Sequence, residues 1–122
     1  MTKYHVKIRN QNSLCGDELE LYLRQNGDTF QASFQGRCCT ICQTSCSLMM
    51  SCIHDHNFVD IERYRKAFNS YKADPNQEAN DPLETQLQLF WQNVKAFPVR
   101  HKCAVFPWQT LDRAFQELHH KI

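Results

Sequence analysis

The chain begins with alternating polar and apolar residues, and the spacing of its apolar residues becomes helical after Gly36. Alternation over three stretches predicts three half-buried strands. Asn26-Gly27 suits the tight turn of a hairpin between the second and third of them. We therefore predict a small antiparallel sheet, whose apolar residues are Tyr4, Val6 and Ile8, then Leu19, Leu21 and Leu23, then Phe30, Ala32 and Phe34.

The remaining sequence predicts four helices. Asp81 can cap the third, Pro82 suits its first position, and Glu84 can complete a capping box. The fourth is predicted to begin near Pro107. Strands followed by helices favour an α+β fold, here a three-stranded antiparallel sheet with the helices on one face, in a single domain over residues 1–122. The apolar residues of the four helices run from Ile41 to Ile53, Ile61 to Tyr71, Leu83 to Val94 and Trp108 to Leu118.

Composition argues against several classes of protein. Lys and Arg number 14 and Asp and Glu 13, giving a net charge of +1, so there is no excess of basic residues for a nucleic-acid partner. No apolar run is long enough to span a membrane. The N-terminus has no hydrophobic block of a signal peptide, so we expect a cytoplasmic protein. Disulfides are rare there, and seven cysteines cannot all pair.

Three separated stretches carry the candidate chemistry: NSLCGD, GRCCTIC and FPVRHKCAVFPW. In the first, Cys15 and Asp17 can present sulfur and oxygen to one metal ion from a turn. In the second, Cys39 is predicted at a strand-to-helix junction, where the helix N-terminus favours thiolate. In the third, we predict Cys103 in a loop just before the last helix, beside basic residues that also favour thiolate.

These cysteines are open to more than one interpretation. Three thiolates and one carboxylate would fill the tetrahedral shell of Zn²⁺. The spacing Cys39-x-x-Cys42 is also that of a zinc knuckle or of a thiol–disulfide redox pair, and Cys38/Cys39 is a second possible redox pair. Cys42, Cys46 and Cys52 are predicted as core residues, because free cysteine packs as a small hydrophobe.

The three stretches together resemble the iron–sulfur cluster scaffold family of IscU- and NifU-like proteins. The family's signature is N-P-x-C-G-D, then G-x-G-C-x-I-S-x-A-S, then an ending of the type R-x-K-C-A-x-L-x-W. The resemblance covers roughly residues 4–118. Carried over by position, it implies metal ligation by Cys15, Asp17, Cys39 and Cys103.

The details of the resemblance point to the SufU branch of the family. Lys102 stands where the IscU branch has a histidine, and the interval between Cys39 and Cys103 is long. Because the first strand is predicted to begin near Tyr4, we expect no counterpart of the family's N-terminal helix. Cys38 replaces a family glycine, and an added thiol there can be redox-active or an alternative ligand.

The resemblance implies a function. SufU-like proteins bind zinc through one Asp and three Cys and accept persulfide sulfur from a pyridoxal-phosphate cysteine desulfurase. Cys15 would take the sulfur, Arg100 and Lys102 would shape the site or the docking face, and downstream iron–sulfur assembly proteins would be further partners. The same donors suit a transient 2Fe–2S cluster. The chain would be at most a sulfurtransferase-type carrier; the alternatives are a zinc-binding structural or interaction module and a thiol–disulfide redox protein using Cys39 and Cys42.

Overall fold

The computed structural model describes residues 5–12 and 16–120. Its sheet contains three long antiparallel strands, β1 Val6–Asn12, β2 Asp17–Asn26 and β3 Thr29–Arg37, in the order β1-β2-β3. The turn predicted at Asn26-Gly27 joins β2 to β3, with Asn26 opposite Thr29. The prediction of an antiparallel sheet from alternating residues is confirmed over this part of the chain.

The predicted three-stranded sheet is wrong by one strand. A fourth, β4, consists of His56–Asn57 and pairs antiparallel with β3 through Thr29 and Asn57. It lies between two helices and is too short to show an alternating pattern. The α+β class is unaffected.

Within residues 5–12 and 16–120, four helices follow or interrupt the strands, in a pattern close to that predicted. They are α1 Thr40–Ile53, α2 Phe58–Ala73, α3 Pro82–Val94 and α4 His101–His120, with a short 3₁₀ helix at Pro98–Arg100. The Asp81 side chain caps α3 by accepting a hydrogen bond from the Glu84 N–H at 2.8 Å, as predicted. No helix among the described residues has the length and apolar character to cross a bilayer.

The start predicted for the fourth helix is wrong: α4 begins at His101, and Pro107 lies inside it. Proline commonly ends or starts a helix, because it lacks an N–H and its ring crowds the carbonyl four residues earlier. The helix nevertheless extends from His101 to Pro107, more than one turn, before the proline is reached.

The helices pack on one face of the sheet and form two apolar clusters. The larger is centred on buried aliphatic residues of β1 and β2 and on the aromatic stack of Phe68 and Trp108, whose rings lie 4.4 Å apart. The smaller lies at the end of the sheet where β2 begins and β3 ends. Its buried members are Leu19, Cys42, Cys46, Cys103 and Phe106.

Candidate metal centre

Three of the four predicted metal ligands converge. Asp17, Cys39 and Cys103 each offer one donor atom, and these three atoms lie within 4.8 Å of one another. Cys15, the fourth predicted ligand, lies outside the described residues. The three residues are far apart in sequence, so the convergence is a property of the fold.

Each donor stands at the end of a regular element. Asp17 is the first residue of β2, and Cys39 is the N-cap residue of α1, two residues after the end of β3. Cys103 lies in the first turn of α4, so the prediction that it lies in a loop before the last helix is wrong. The prediction took Pro107 as the start of the helix, whereas α4 begins six residues before it.

The end of β3 comes unusually close to β2 on the way to Cys39. Gly36 lies opposite Leu19 in the sheet and has a φ angle of +142°. A Cβ atom at position 36 would lie 2.1 Å from the backbone oxygen of Glu18. Only glycine permits this approach, which brings the residues just after β3 beside the start of β2.

Two helix N-termini favour negative charge at this place. The first turns of α1 and α4 contain no acidic residue, and the aligned peptide dipoles give a helix N-terminus a partial positive charge. The Cys39 side chain makes no capping hydrogen bond. Instead, Asp17 Oδ1 accepts a hydrogen bond from the Cys39 N–H at 3.3 Å, so the carboxylate satisfies one of the free donors of α1.

The surroundings of the second Asp17 oxygen indicate whether the site suits a metal ion. Asp17 is 3 % exposed, and its buried Oδ2 has no hydrogen-bond partner among the described residues. A buried carboxylate oxygen without a partner is costly. In a tetrahedral zinc site the ligand atoms lie about 3.5–3.8 Å apart, given Zn–S and Zn–O bonds of about 2.3 and 2.1 Å. The three donors therefore fit such an ion with a small contraction.

The surroundings of the donors are apolar. Cys103 is fully buried with Leu19 and Phe106 in the smaller cluster, while Cys39 is half-buried at its edge. A low local dielectric strengthens the interaction of thiolates with a cation. It also makes unpaired negative charge unfavourable when no cation is bound.

A buried hydrogen-bond chain joins the two helices that carry Cys39 and Cys103. The Ser45 hydroxyl of α1 donates to the Ala104 carbonyl oxygen of α4 at 2.5 Å. The same hydroxyl oxygen accepts from the Trp108 indole N–H at 3.1 Å. Ser45 is fully buried, so the chain holds the start of α4 against α1.

The other candidate residues fall into two groups. Cys42, Cys46 and Cys52 are 0 %, 0 % and 1 % exposed, so their prediction as core residues is confirmed. Arg100 ends the 3₁₀ helix before α4, and its side chain is exposed. The role predicted for Arg100 stays a prediction.

Three further thiols, of Cys38, Cys42 and Cys46, lie with the donor cysteines in the smaller cluster. Cys42 and Cys46 are four residues apart on one face of α1, and Cys38 lies two residues before that helix. Cys38 forms a hydrogen bond with Cys42, and Cys42 forms another with Cys46. Burial and the bond to Cys42 raise the pKa of the Cys38 thiol far above its ordinary value. The bond to Cys46 and burial do the same to the pKa of Cys42.

Two relatives resemble the chain over most of its length. An iron–sulfur cluster assembly scaffold protein IscU from Thermotoga maritima is 32% identical over 113 residues, covering 88% of this chain and 75% of the relative. The zinc-dependent sulfurtransferase SufU of Bacillus subtilis is 29% identical over 109 residues, covering 88% and 73%. The sequence matches no protein-family model.

Solved structures have the same fold. A putative iron–sulfur cluster assembly scaffold protein for the SUF system from Fervidobacterium islandicum superposes with a TM-score of 0.80 at 28% identity, covering 93% of this chain and 82% of the other. The N-terminal NifU-like protein of Brucella abortus gives 0.82 at 15% identity, covering 100% and 84%, and supports the fold alone. Identity, coverage and fold together show that this chain belongs to the IscU/SufU-like family of iron–sulfur cluster assembly scaffold proteins.

Proposed function

We propose that this chain is a zinc-dependent sulfur acceptor in iron–sulfur cluster assembly. It holds the metal with Cys15, Asp17, Cys39 and Cys103, and it takes persulfide sulfur from a pyridoxal-phosphate cysteine desulfurase. The observation that carries the proposal is the convergence of three donors within 4.8 Å of one another, together with a buried Asp17 oxygen that has no hydrogen-bond partner among the described residues.

The names of the relatives support the proposal from two directions. The Thermotoga maritima relative is named as a cluster assembly scaffold and the Bacillus subtilis relative as a zinc-dependent sulfurtransferase. A donor set of thiolates with one carboxylate suits both a zinc ion and iron–sulfur cargo. We assign the chain to the sulfurtransferase-like branch, because Lys102 replaces the histidine of the IscU branch.

The four ligands have different roles in this proposal. Zinc, when bound, keeps the ligand thiols deprotonated and has no redox chemistry of its own. Cys39 and Cys103 anchor the site from two helix N-termini. Cys15 accepts the terminal sulfur atom of the desulfurase persulfide. Asp17 supplies negative charge and caps α1.

The docking face lies around the same end of the molecule. Arg100 and Lys102 are exposed beside the start of α4, where a partner could reach them. We propose that they contribute to desulfurase docking or to shaping the site. Iron–sulfur assembly proteins that act downstream would receive the sulfur or the assembled cluster.

Metal content tests the site. Protein purified without added metal is analysed for zinc per chain in the wild type and in the variants Asp17→Asn, Cys39→Ser and Cys103→Ser. We expect stoichiometric zinc in the wild type and its loss in each Cys variant. Cys52→Ser is the matched control, because Cys52 is buried in the larger cluster. Equal zinc in the wild type and in Cys39→Ser would contradict the ligand assignment.

Sulfur transfer needs a second experiment, because a protein with a purely structural zinc site would show the same zinc content. The zinc-loaded chain is incubated with a purified cysteine desulfurase and L-cysteine, and the peptides are mapped by mass spectrometry after alkylation. We expect faster cysteine turnover and a sulfur adduct on the Cys15 peptide. Full zinc without faster turnover or adduct would favour the structural or interaction module instead.

A further inference from the structure

An apolar groove lies between α1 and α3 on the surface of the molecule. Its volume is about 450 Å³. Leu89 and Phe97 line it and are 50 % and 56 % exposed, although large apolar side chains are ordinarily buried. Contiguous apolar surface that stays exposed marks an interaction site. The apolar residues that line the groove are Ile41, Leu48, Leu89, Phe90, Val94 and Phe97.

The two helices that form the groove are depleted of charge. Residues 38–54 include no Asp, Glu, Lys or Arg, and neither do residues 85–94. A surface helix ordinarily carries charged and polar residues on its exposed face, so two neighbouring helices with uncharged surfaces are unusual. Few charged residues together with exposed aromatic and aliphatic ones is the composition of the core of a protein–protein interface.

Polar side chains in the walls of the groove are engaged within their own helices. The Thr44 hydroxyl donates to the Thr40 carbonyl oxygen at 2.9 Å, and the Asn93 side-chain amide donates to the Leu89 carbonyl oxygen at 2.8 Å. The backbone groups of both helices are paired along each helix. A bound strand would therefore leave its own N–H and C=O groups unpaired against apolar surface. A bound helix satisfies those groups internally.

One end of the groove is basic. Lys95 follows the lining residue Val94, and the Phe97 N–H donates to the Val94 carbonyl oxygen at 2.8 Å. The Arg100 N–H donates to the Phe97 carbonyl oxygen at 2.8 Å, which holds Arg100 one turn from the groove. Lys102 follows in the first turn of α4. The three basic side chains are exposed, and none of them forms an ion pair with another described residue.

No acidic residue of this segment balances the basic end. The sequence contains no Asp or Glu between Glu84 and Asp112. Glu84, at the other end of α3, is buried and lies 3.5 Å from Arg63. Lys and Arg number 14 and Asp and Glu 13 in the whole chain, so the basic character is local. A partner that fills the groove is therefore favoured by acidic residues at one end.

We infer that this groove binds an amphipathic helix of a partner protein. The apolar face of that helix lies between α1 and α3, and its acidic residues face Lys95, Arg100 and Lys102. The inference goes beyond the proposed function, because binding of such a helix requires neither zinc nor sulfur.

The dimensions of the groove suit two turns of helix. It extends over residues 41–48 of α1 and 86–94 of α3, which is about 10–12 Å at a rise of 1.5 Å per residue. Apolar residues at positions i, i+3 or i+4, and i+7 of the bound helix cover this length. Ile41 lies two residues after Cys39, so a partner held in the groove is also close to the metal donors.

Synthetic peptides test the inference by fluorescence anisotropy. The acidic peptide is a labelled Ala-based helix of about 18 residues, because isolated helices shorter than roughly 12–15 residues are marginal. It has Leu at i, i+3 and i+7, Glu residues at its C-terminal end, and no Cys or His. The matched peptide has Lys in place of those Glu residues.

We expect the acidic peptide to bind the wild type more tightly than the matched peptide, by at least about 3-fold at low salt. The difference should disappear in about 1 M salt, where the Debye length is roughly 3 Å. Glu at a helix C-terminus disfavours the helix and Lys favours it, so a preference for the acidic peptide does not arise from its helicity. A preference for the Lys peptide would overturn the assignment of the basic end.

Variants of the protein locate the binding site. Leu89→Glu should weaken binding of the acidic peptide by at least roughly 10-fold, and Phe97→Ser should also weaken it. Val59→Glu is the matched control, because Val59 is 74 % exposed on α2 outside the groove. Thermal unfolding and zinc content should match the wild type for all three variants, which separates this test from that of the metal site. Equal affinity for the wild type and Leu89→Glu would overturn the inference.

Two further measurements exclude other occupants. A proline in the middle of the acidic peptide should weaken binding by at least roughly 10-fold, because proline breaks the helix; unchanged binding would mean that an extended segment occupies the groove. Sedimentation should show a monomeric wild type. A dimer that becomes monomeric in Leu89→Glu would mean that a second copy of the chain covers the groove, and either result would overturn the inference.

Discussion

The Asp17 carboxylate caps the helix whose N-cap residue is Cys39. Its Oδ1 accepts a hydrogen bond from the Cys39 N–H at 3.3 Å, while Oδ2 is buried without a partner among the described residues. One oxygen thus accepts a hydrogen bond from the helix N-terminus, and the other is buried beside it. The start of β2 and the start of α1 are therefore coupled through the atom group that would also bind the metal.

Asp17→Asn should separate these two roles. The amide oxygen can still accept from the Cys39 N–H, so we expect the metal-free protein to keep its fold and most of its stability. Loss of the anion should weaken zinc binding by at least the roughly 10- to 100-fold that follows loss of an outer-shell partner. Competition with a zinc chelator measures the affinity. Glu18→Gln is the control, since Glu18 hydrogen-bonds Gln11 instead, and similar zinc affinities for the two variants would contradict the role of Asp17.

Gly36→Ala should disturb both fold and site. The added Cβ would meet the Glu18 oxygen at 2.1 Å, so β2 and β3 must move apart beside Cys38 and Cys39. We expect a loss of about 2–4 kcal/mol in the free energy of unfolding, from overpacking together with positive-φ strain, and weaker zinc binding. Gly27→Ala is matched: its φ is +64° but nothing lies within 4 Å of the new Cβ. Urea unfolding should show the smaller loss there, and equal losses would contradict the close approach.

The order of elements could be predicted from the sequence, because period-two and helical spacings report directly which face of an element is buried. Cys39 was placed at a strand-to-helix junction for the same reason. The strand β4 could not be predicted, since two residues carry no period. The start of α4 was misplaced because proline is usually a boundary, and here the helix continues through Pro107.

The residues of the candidate site were predicted from motif resemblance and not from the spacing of apolar residues. Motif resemblance selected Asp17, Cys39 and Cys103 together, and the fold brings their donor atoms within 4.8 Å. Spacing alone could not distinguish the Cys39/Cys42 pair from the Cys38/Cys42 contact. Cys38 precedes the helix, where side-chain direction follows from the backbone of the junction and not from helical geometry.

Ser45→Ala should weaken the link between the helices that carry the two ligand cysteines. The Trp108 indole N–H would lose its acceptor in a buried position, at a cost of about 1–3 kcal/mol. The start of α4 would also be held less firmly against α1, so we expect a lower zinc affinity. Ser47→Ala, at an exposed position of the same helix, should change the free energy of unfolding by less than about 0.5 kcal/mol. If both variants unfold at the same urea concentration, the buried hydrogen-bond chain through Ser45 does not stabilise the packing of α4 against α1.

A second carboxylate, far from the metal donors in sequence, ties α2 to α3. Asp81 Oδ2 accepts hydrogen bonds from the Tyr64 hydroxyl at 3.0 Å and from Arg63 at 3.1 Å. Burial opposes ionisation of Asp81, but the Glu84 N–H, Tyr64 and Arg63 together lower its pKa below the ordinary value. The charged form of Asp81 is therefore preferred in the folded protein.

This shift predicts a stability difference that depends on pH. A lowered folded pKa contributes stability above the unfolded value of about 3.9, and the contribution is lost as pH falls through the lower folded pKa. Asp81→Asn keeps a capping side chain but removes the charge, so we expect a loss of about 1–2 kcal/mol at pH 7, shrinking well below pH 4. Urea unfolding of the metal-stripped proteins at both pH values measures it. Asp28→Asn, at an exposed position of the hairpin turn, should show little loss at either pH, and a difference for Asp81→Asn that does not change with pH would mean that charge is not the cause.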